Sequence, residues 1–205
     1  MTQTVRTLAL VLALSLLSGC SVESLINRPP PPQIYLLRPK LGASVGPRVS
    51  WALSIGEPSA PFSLSSRRIA IQRSADTLDF YADAAWQDRT PELLQRLTLE
   101  GFEDSGRISA VAREDSGLHT DYLLQIDLRR FEARYGGAQD APVAEVAMTA
   151  RLIRLSDRKV VATTVIHTTA PAQANSIPAA VSAFDAATGK AVQQLVAWTL
   201  AAPGS

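Results

Sequence analysis

The stretch Tyr122-Leu-Leu-Gln-Ile-Asp-Leu-Arg-Arg-Phe-Glu-Ala133 alternates apolar and polar side chains over most of its length. Leu124, Ile126 and Leu128 have the spacing of one strand face, and Gln125, Asp127 and Arg129 have the spacing of the other. This alternation is typical of a strand that is buried on one side and solvated on the other. We therefore predict a long β-strand over residues 122–133.

Two further long strand patterns follow it directly. Residues 143–155 place five apolar side chains on one face, namely Ala144, Val146, Met148, Ala150 and Leu152. Residues 160–169 are rich in Val and Thr, which favour strands. The connections are short: Gly136-Gly137 lies in the first turn region, and the second is the tight-turn sequence 157–159. Because short connections favour antiparallel neighbours, these three strands are predicted to form a meander.

Shorter strand patterns lie earlier in the chain. Alternation is strict over 49–55, where Trp51, Leu53 and Ile55 occupy one face. The other short patterns are Ile34-Tyr35-Leu36-Leu37, Arg68-Ile69-Ala70-Ile71, Leu78-Asp79-Phe80-Tyr81 and residues 108–111. The turn between the 68–71 and 78–81 patterns is predicted at residues 73–76.

Two helices are predicted. The first begins at Thr90-Pro91-Glu92, read as a cap residue, a proline at the first helical position and an acid in the first turn, and it stops at Ser105-Gly106. Its apolar positions are Leu93, Leu94, Leu97 and Phe102. The second spans 178–200, with an apolar face formed by Val181, Phe184, Ala191, Leu195 and Trp198. Together these patterns predict one α+β domain over 34–202, a mostly antiparallel sheet packed by two main helices.

The amino terminus has the organisation of a lipoprotein signal peptide. An apolar run over 8–17 follows Arg6, and it is too short to span a hydrocarbon core. It leads into Leu17-Ser18-Gly19-Cys20, which contains the only cysteine and looks like a bacterial lipobox. This resemblance implies cleavage between Gly19 and Cys20 after residues 1–19. It also implies a diacylglyceryl group on the Cys20 thiol and an N-acyl group, such as palmitate, on the new amine. No other cofactor is expected.

The mature amino terminus is predicted to be a membrane tether. Residues 20–33 include Pro29-Pro30-Pro31-Pro32, a run that favours an extended polyproline spacer. Ser21 follows the cysteine. In the lipoprotein sorting rule of enteric-type bacteria, an Asp at this position retains the protein at the inner membrane. Ser21 thus favours the outer membrane, with the domain facing the periplasm.

Composition excludes several classes of function. Removing 19 residues from 205 leaves 186, and Arg6 is the only charged residue lost, so 19 basic side chains balance 19 acidic ones. A chain without excess positive charge is a poor partner for nucleic acid. Once Cys20 is acylated no thiol remains for catalysis, disulfides or metal binding.

No pattern predicts a catalytic or metal site. The two histidines, His119 and His167, lie in a loop and in a Thr-rich strand. A Ser-His-Asp arrangement needs a histidine that is held by a carboxylate and touches a nucleophile, and Asp121, two residues from His119, is ordinary in a loop. The chain has no G-x-S-x-G, H-E-x-x-H or phosphate-binding glycine motif. We therefore expect a protein that is not an enzyme and holds no metal.

Two groups of residues are candidates for docking a partner. The first is the mixed-charge strand surface, with Arg129 and Arg130 at its centre; its other members are Asp127, Glu132 and Arg134. The alternative for this surface is an ordinary solvated face. The second is Tyr81 and Trp86, just before the first helix. These aromatics either contact a ligand or support the helix entry from the core.

Several segments together resemble the ABC-type transport auxiliary lipoprotein family over about residues 35–200. The segments that carry the resemblance are LDFYADAAW at 78–86, LLQ at 93–95, FEDSGR at 102–107, DYLL at 121–124, DLRRFEARY at 127–135 and the closing helix with Trp198. The resemblance implies a mixed sheet-and-helix domain without catalytic residues.

It also implies partners. The family works with mammalian-cell-entry (MCE) proteins, which form lipid tunnels coupled to an ABC permease and ATPase and carry phospholipids or related lipids. Homo-oligomeric rings occur in the family, and the sequence leaves open whether this chain forms one. Two alternatives remain at this point: a structural lipoprotein of another outer-membrane assembly, and a periplasmic chaperone that binds lipid between helix and sheet.

Overall fold

The computed structural model describes residues 30–42, 46–137 and 140–202. The chain divides into two units, Met1–Pro31 and Pro32–Ser205, and the second contains every element below. The predicted lipidation site Cys20, its cleavage partner Gly19 and most of the tether lie outside the described residues. Among the described helices, none has the length and apolar character needed to cross a membrane.

The described residues of the second unit form eight strands and two α-helices. The strands are β1 (Gln33–Tyr35), β2 (Val49–Ile55), β3 (Arg68–Ser74), β4 (Thr77–Trp86), β5 (Ile108–Arg113), β6 (Tyr122–Arg134), β7 (Val143–Arg154) and β8 (Lys159–Pro171). The helices are α1 (Thr90–Ser105) and α2 (Ile177–Ala201), and a short 3₁₀ turn spans Glu114–Ser116. All eight strands belong to one sheet.

Strand β6 is the centre of the sheet. Along one edge it pairs antiparallel with β7 from Tyr122 opposite Arg154 to Arg134 opposite Val143, and β7 pairs in the same way with β8. The predicted meander is thus confirmed. A register shift between Leu128 and Arg130 inserts Arg129 as an extra residue in β6.

The opposite edge of β6 is shared by two strands. β2 pairs in parallel with its first residues, and β3 pairs in parallel with its last. Between them, Ser59 forms an isolated parallel bridge to Asp127, and its backbone bonds to Ile126 O and Leu128 N. The chain from β2 to β3 therefore pairs with β6 at the start of β6, at Ser59 and at the end of β6. β5 continues the sheet beyond β2, and β4 and β1 continue it beyond β3.

The α+β class with two main helices is confirmed, and the sheet is mixed. Three pairings are antiparallel, and they contain most of the paired residues because β6, β7 and β8 are long. The other four are parallel, and they join strands that are distant in sequence.

The first helix ends as predicted but begins differently. Gly106 adopts the left-handed conformation (φ 63°) that favours glycine after a helix. Arg89, and not Thr90, occupies the cap position, and its side chain makes no capping bond. The Thr90 hydroxyl donates instead to Ser66 O, which ties the helix start to the loop before β3.

The core lies between the helices and one face of the sheet. Phe184 of α2 stacks on Phe131 of β6, with ring centroids 5.0 Å apart, and Trp86 meets both rings edge-on. All three side chains are at most 2% exposed. The two helices touch where Gly101 of α1 approaches Val192 of α2, since a Cβ at Gly101 would lie 2.5 Å from Val192 Cγ1.

Candidate docking face of the sheet

The face of the β6–β7–β8 meander turned away from the helices is polar, and we call it the outer face. It carries Asp127, Arg129, Arg130, Glu132 and Arg134 from β6, Glu145 and Thr149 from β7, and Val165 and His167 from β8. The inner face of the same strands supplies Leu124, Ile126, Leu128 and Phe131 to the core. The predicted mixed-charge surface is therefore one contiguous face.

The extra residue in β6 explains why two arginines stand side by side on this face. Strict alternation would place Arg130 with Leu128 in the core. The bulge restores Phe131 to the core and leaves both Arg129 and Arg130 exposed, with 55% and 53% of their side chains accessible. Arg129 Nε lies 3.8 Å from Asp127 Oδ2, and Asp127 Oδ1 also accepts from Ser59 Oγ.

Glu145 is the centre of the charges on the outer face. Its side chain is only 3% exposed, and its Oε1 accepts from Arg130 Nη1 at 2.7 Å and lies 2.9 Å from His167 Nε2. Its Oε2 lies 3.1 Å from Arg134 Nε. One buried carboxylate thus holds three cationic or ionisable side chains that are each about half exposed.

The pKa of Glu145 is shifted by opposing causes. Burial raises it, but hydrogen bonding and attraction from Arg130, followed by the contacts with His167 and Arg134, outweigh burial, so that the pKa of Glu145 is lowered. Glu132 stands opposite Glu145 and is itself buried. Burial, and then repulsion from Glu145, raise the pKa of Glu132 despite the nearby arginines.

A cleft of about 470 Å³ opens beside this cluster, and we call it the arginine cleft. Its lining residues are Gln72, Arg73, Ser74 and Ala75 from the β3–β4 hairpin, and Arg130, Arg134 and Tyr135 from β6 and its end. Arg73 lies over the Tyr135 ring, with its guanidinium carbon 4.5 Å from the centroid. The structure therefore brings three arginines to one concavity.

Tyr81 contacts Tyr135, one of the residues that line the arginine cleft. Its hydroxyl shares a 2.7 Å hydrogen bond with the Tyr135 hydroxyl. Burial, and then this hydrogen bond, raise the pKa of Tyr81, so that the Tyr81 hydroxyl stays neutral throughout the physiological range. Tyr81 is thus joined through Tyr135 to the same region as Arg130, although the two are far apart in sequence.

Trp86 does not belong to this region. It lies at the end of β4 with no exposed surface, packed against Phe131 and Phe184. The docking assignment of Trp86 is therefore corrected: its role is the core-packing alternative, because a side chain without accessible surface offers nothing to a partner.

The structure adds residues that the sequence analysis missed. Glu145 could have been noticed as the only acid within the apolar pattern of β7, because an unpaired charge is seldom buried. Arg73 had no such signal, since only the parallel pairing of β3 with β6 brings it to the cleft.

The described residues offer little support for other chemistry. Within the ranges that the structure describes, no cluster of His, Cys, Asp and Glu could hold a metal ion. His119 lines a separate cleft of about 510 Å³ with Trp51, Tyr122 and Arg154. That cleft contains no nucleophile held against a base, as acyl-transfer catalysis would need.

The sequence matches the profile of the family described as ABC-type transport auxiliary lipoprotein component over residues 35–196. The match covers most of the chain, and the protein belongs to this family. This match confirms the resemblance to the family found in the sequence.

The chain is also similar to other proteins in sequence and in structure. An uncharacterised protein of Bradyrhizobium diazoefficiens is 32% identical over 154 residues, which are 75% of this chain and 41% of that relative, so the chain spans about two fifths of the relative's length. The crystal structure of XCC0632 from Xanthomonas campestris is 34% identical and superposes with a TM-score of 0.76, covering 82% of this chain and 95% of that one. A further crystal structure, 12% identical, shares the fold with a TM-score of 0.65 over 82% of this chain and 99% of its own.

Proposed function

We propose that this chain is a non-enzymatic docking component of an MCE-type ABC transport system that moves phospholipids or related lipids across a Gram-negative envelope. The observation that carries the proposal is the family match over residues 35–196, behind a lipobox-like amino terminus. An auxiliary lipoprotein of an ABC system needs an anchor and a surface for its partner, and the chain offers a candidate for each.

The anchor is the lipid on Cys20. Acyl chains stabilise membrane attachment by about 0.8 kcal/mol for each buried CH₂ group, so that several chains hold a protein far more firmly than one. Ser21 favours the outer membrane, and the proline-rich segment 20–33 would hold the domain on the periplasmic side. An outer-membrane position would let the domain meet an MCE protein that arrives from the inner membrane.

The outer face is the surface that we propose for docking. Helix α2 packs on the other face of the meander, against β7 and β8, whereas here Arg129 and Arg130 are about half exposed. Charged rims of this kind raise association rates and select partners of complementary charge. The proposed partner is an MCE-domain protein, together with its permease and ATPase, that presents acidic side chains to Arg129. Homo-oligomerisation is a further part of the proposal, and light scattering of the purified protein tests it.

The chaperone alternative receives no support from the core. It places a lipid between helix and sheet, where Trp86, Phe131 and Phe184 pack against one another with almost no exposed surface. The alternative of another outer-membrane assembly becomes an outcome of the test below.

The test is affinity purification of the full-length protein from its own host in mild detergent, with the bound proteins identified. We expect an MCE-domain protein in the eluate and its loss with Arg129→Glu, since the reversed charge would repel an acidic partner. Lys190→Glu is the control, because Lys190 is an exposed cation on α2, on the helix side. An eluate that contains only components of another outer-membrane assembly would contradict the proposal.

The anchor has its own test. Cys20→Ala should leave a folded domain that no longer fractionates with membranes. Full recovery of that variant in the membrane fraction would contradict lipidation at Cys20.

A further inference from the structure

The arginine cleft has a lining of unusual composition. Three of its seven lining residues, Arg73, Arg130 and Arg134, are cationic, and none is acidic. Like charges gathered in one concavity repel, so that such a cluster needs compensation. The compensation comes from Glu145 behind Arg130 and Arg134, which is buried and does not line the cleft.

Each of the three guanidinium groups is held in position by a neighbouring side chain. Glu145, which does not line the cleft, holds Arg130 and Arg134, and Tyr135, which does, holds Arg73. Arg130 and Arg134 are four residues apart on β6, which corresponds to about 13 Å along a strand. Both nevertheless reach the same carboxylate, Arg130 at Glu145 Oε1 and Arg134 at Glu145 Oε2. Arg73 is held over the Tyr135 ring, and the Tyr81 hydroxyl fixes the Tyr135 hydroxyl in turn. These supports reduce the side-chain entropy that binding would otherwise cost.

We infer that the arginine cleft is a binding site for a phosphate group, as in inorganic phosphate or the headgroup of an anionic phospholipid. A guanidinium has five N–H donors in a planar fork that matches phosphate oxygens, and the ion pairs with Glu145 use only part of this capacity in Arg130 and Arg134. The inference goes beyond the docking proposal, since a phosphate site would bind its ligand whether or not an MCE partner exists.

The arrangement of the arginines favours a compact anion. They approach from two strands, β3 and β6, and meet around one concavity of about 470 Å³. An extended acidic peptide would be matched better by cations spaced along a line. A tetrahedral phosphate can accept from several convergent donors at once.

The test measures binding of chosen probes to the full-length, detergent-solubilised protein by isothermal titration calorimetry. The probes are inorganic phosphate, glycerol 3-phosphate and a glutamate-rich peptide. A second assay measures ³¹P line broadening of phosphatidylglycerol in mixed micelles, with phosphatidylcholine as reference. Binding of inorganic phosphate and glycerol 3-phosphate alike assigns the site to any phosphate group. Selective broadening of phosphatidylglycerol without binding of free phosphate assigns it to the lipid headgroup.

Variants connect the signal to the cleft. Arg73→Gln should weaken phosphate binding about tenfold or more, as expected for the loss of one charge-assisted hydrogen bond. It should leave the fold intact, because Arg73 is at the end of β3. Arg48→Gln is the matched control, since Arg48 is an exposed arginine that does not line the cleft. Equal binding by Arg73→Gln and the unaltered chain would overturn the inference, as would binding of the glutamate-rich peptide alone or of no probe.

Discussion

Glu132 and Glu145 occupy directly opposite positions on β6 and β7, yet the pKa values of the two carboxyl groups are shifted in opposite directions. Glu145 receives Arg130, His167 and Arg134, and its pKa is lowered. Glu132 has no such set of contacts, so that burial and the charge of Glu145 raise its pKa. The outer face therefore contains one carboxylate that stabilises the fold when ionised and one that destabilises it when ionised.

Glu145→Gln should lower the free energy of unfolding at pH 7 by about 2 kcal/mol, the order of a charge-assisted hydrogen bond to a buried group. Because the pKa of Glu145 is lowered by folding, its stabilisation is present above about pH 4.5, the ordinary value of a Glu, and disappears as the pH falls through its folded value. Urea unfolding of residues 20–205 carrying Cys20→Ala measures this. Exposed Glu103→Gln is the control, and a loss of stability that does not shrink in acid would contradict the account.

Glu132→Gln should have the opposite effect. The pKa of Glu132 is raised by folding, so its ionisation costs stability as the pH rises above about 4.5 through the folded value. The variant should be more stable than the unaltered chain at pH 7 by about 0.5–1 kcal/mol, the size of a cross-strand charge pair. The advantage should vanish below pH 4.5 in the same urea experiment. A variant that is less stable at pH 7 would show that Glu132 is held ionised by Arg130 and Arg134.

Two phenylalanines give a matched pair for the core. Phe184 has no exposed surface and stacks on Phe131, whereas Phe62 is 96% exposed. Phe184→Ala should lower the free energy of unfolding by about 3–5 kcal/mol because it leaves a cavity between α2 and the sheet. Phe62→Ala should change it by no more than about 0.5 kcal/mol. Thermal unfolding followed by circular dichroism compares the two, and equal effects would contradict the placement of α2.

The contact between the helices is tested at a glycine. Gly101→Ala would place a Cβ 2.5 Å from Val192 Cγ1, so that the helices must separate. Overpacking of this kind costs about 1–3 kcal/mol, which the better helix propensity of Ala offsets only by about 0.5–1 kcal/mol. Gly42→Ala is the control, since among the described residues its Cβ would meet Gln193 Nε2 alone, at an ordinary contact distance of 3.7 Å. A Gly101→Ala variant as stable as the unaltered chain would contradict the close approach.

The sequence predicts the elements of this fold better than their arrangement. Alternation along 122–133 and the short turns after it predict the meander, because both are local properties. The parallel pairing of β2 and β3 with the second edge of β6 depends on contacts between distant residues, such as Ser59 with Asp127, which no local pattern encodes. The class was therefore predictable, and the mixed character of the sheet was not.

The candidate site likewise contains residues that a local sequence pattern predicts and residues that only contacts between distant strands bring in. Arg129 and Arg130 were predicted as members of a mixed-charge strand surface, and the bulge that places them side by side is visible only in the structure. Glu145 and Arg73 enter only through the register of β7 and β3 on β6. Trp86 was predicted as a docking candidate and is buried in the core. An aromatic residue beside a helix start has the same sequence pattern whether it is buried or exposed.

The most direct test of the docking proposal is site-specific photocrosslinking in living cells of the native host. A photoreactive amino acid replaces Arg129 on the outer face in one strain, and the exposed Glu103 near the end of α1 in another. The account predicts a crosslink from position 129 to an MCE-domain protein and none from position 103. Crosslinks from position 103 alone, or from position 129 only to proteins of another outer-membrane assembly, would contradict it.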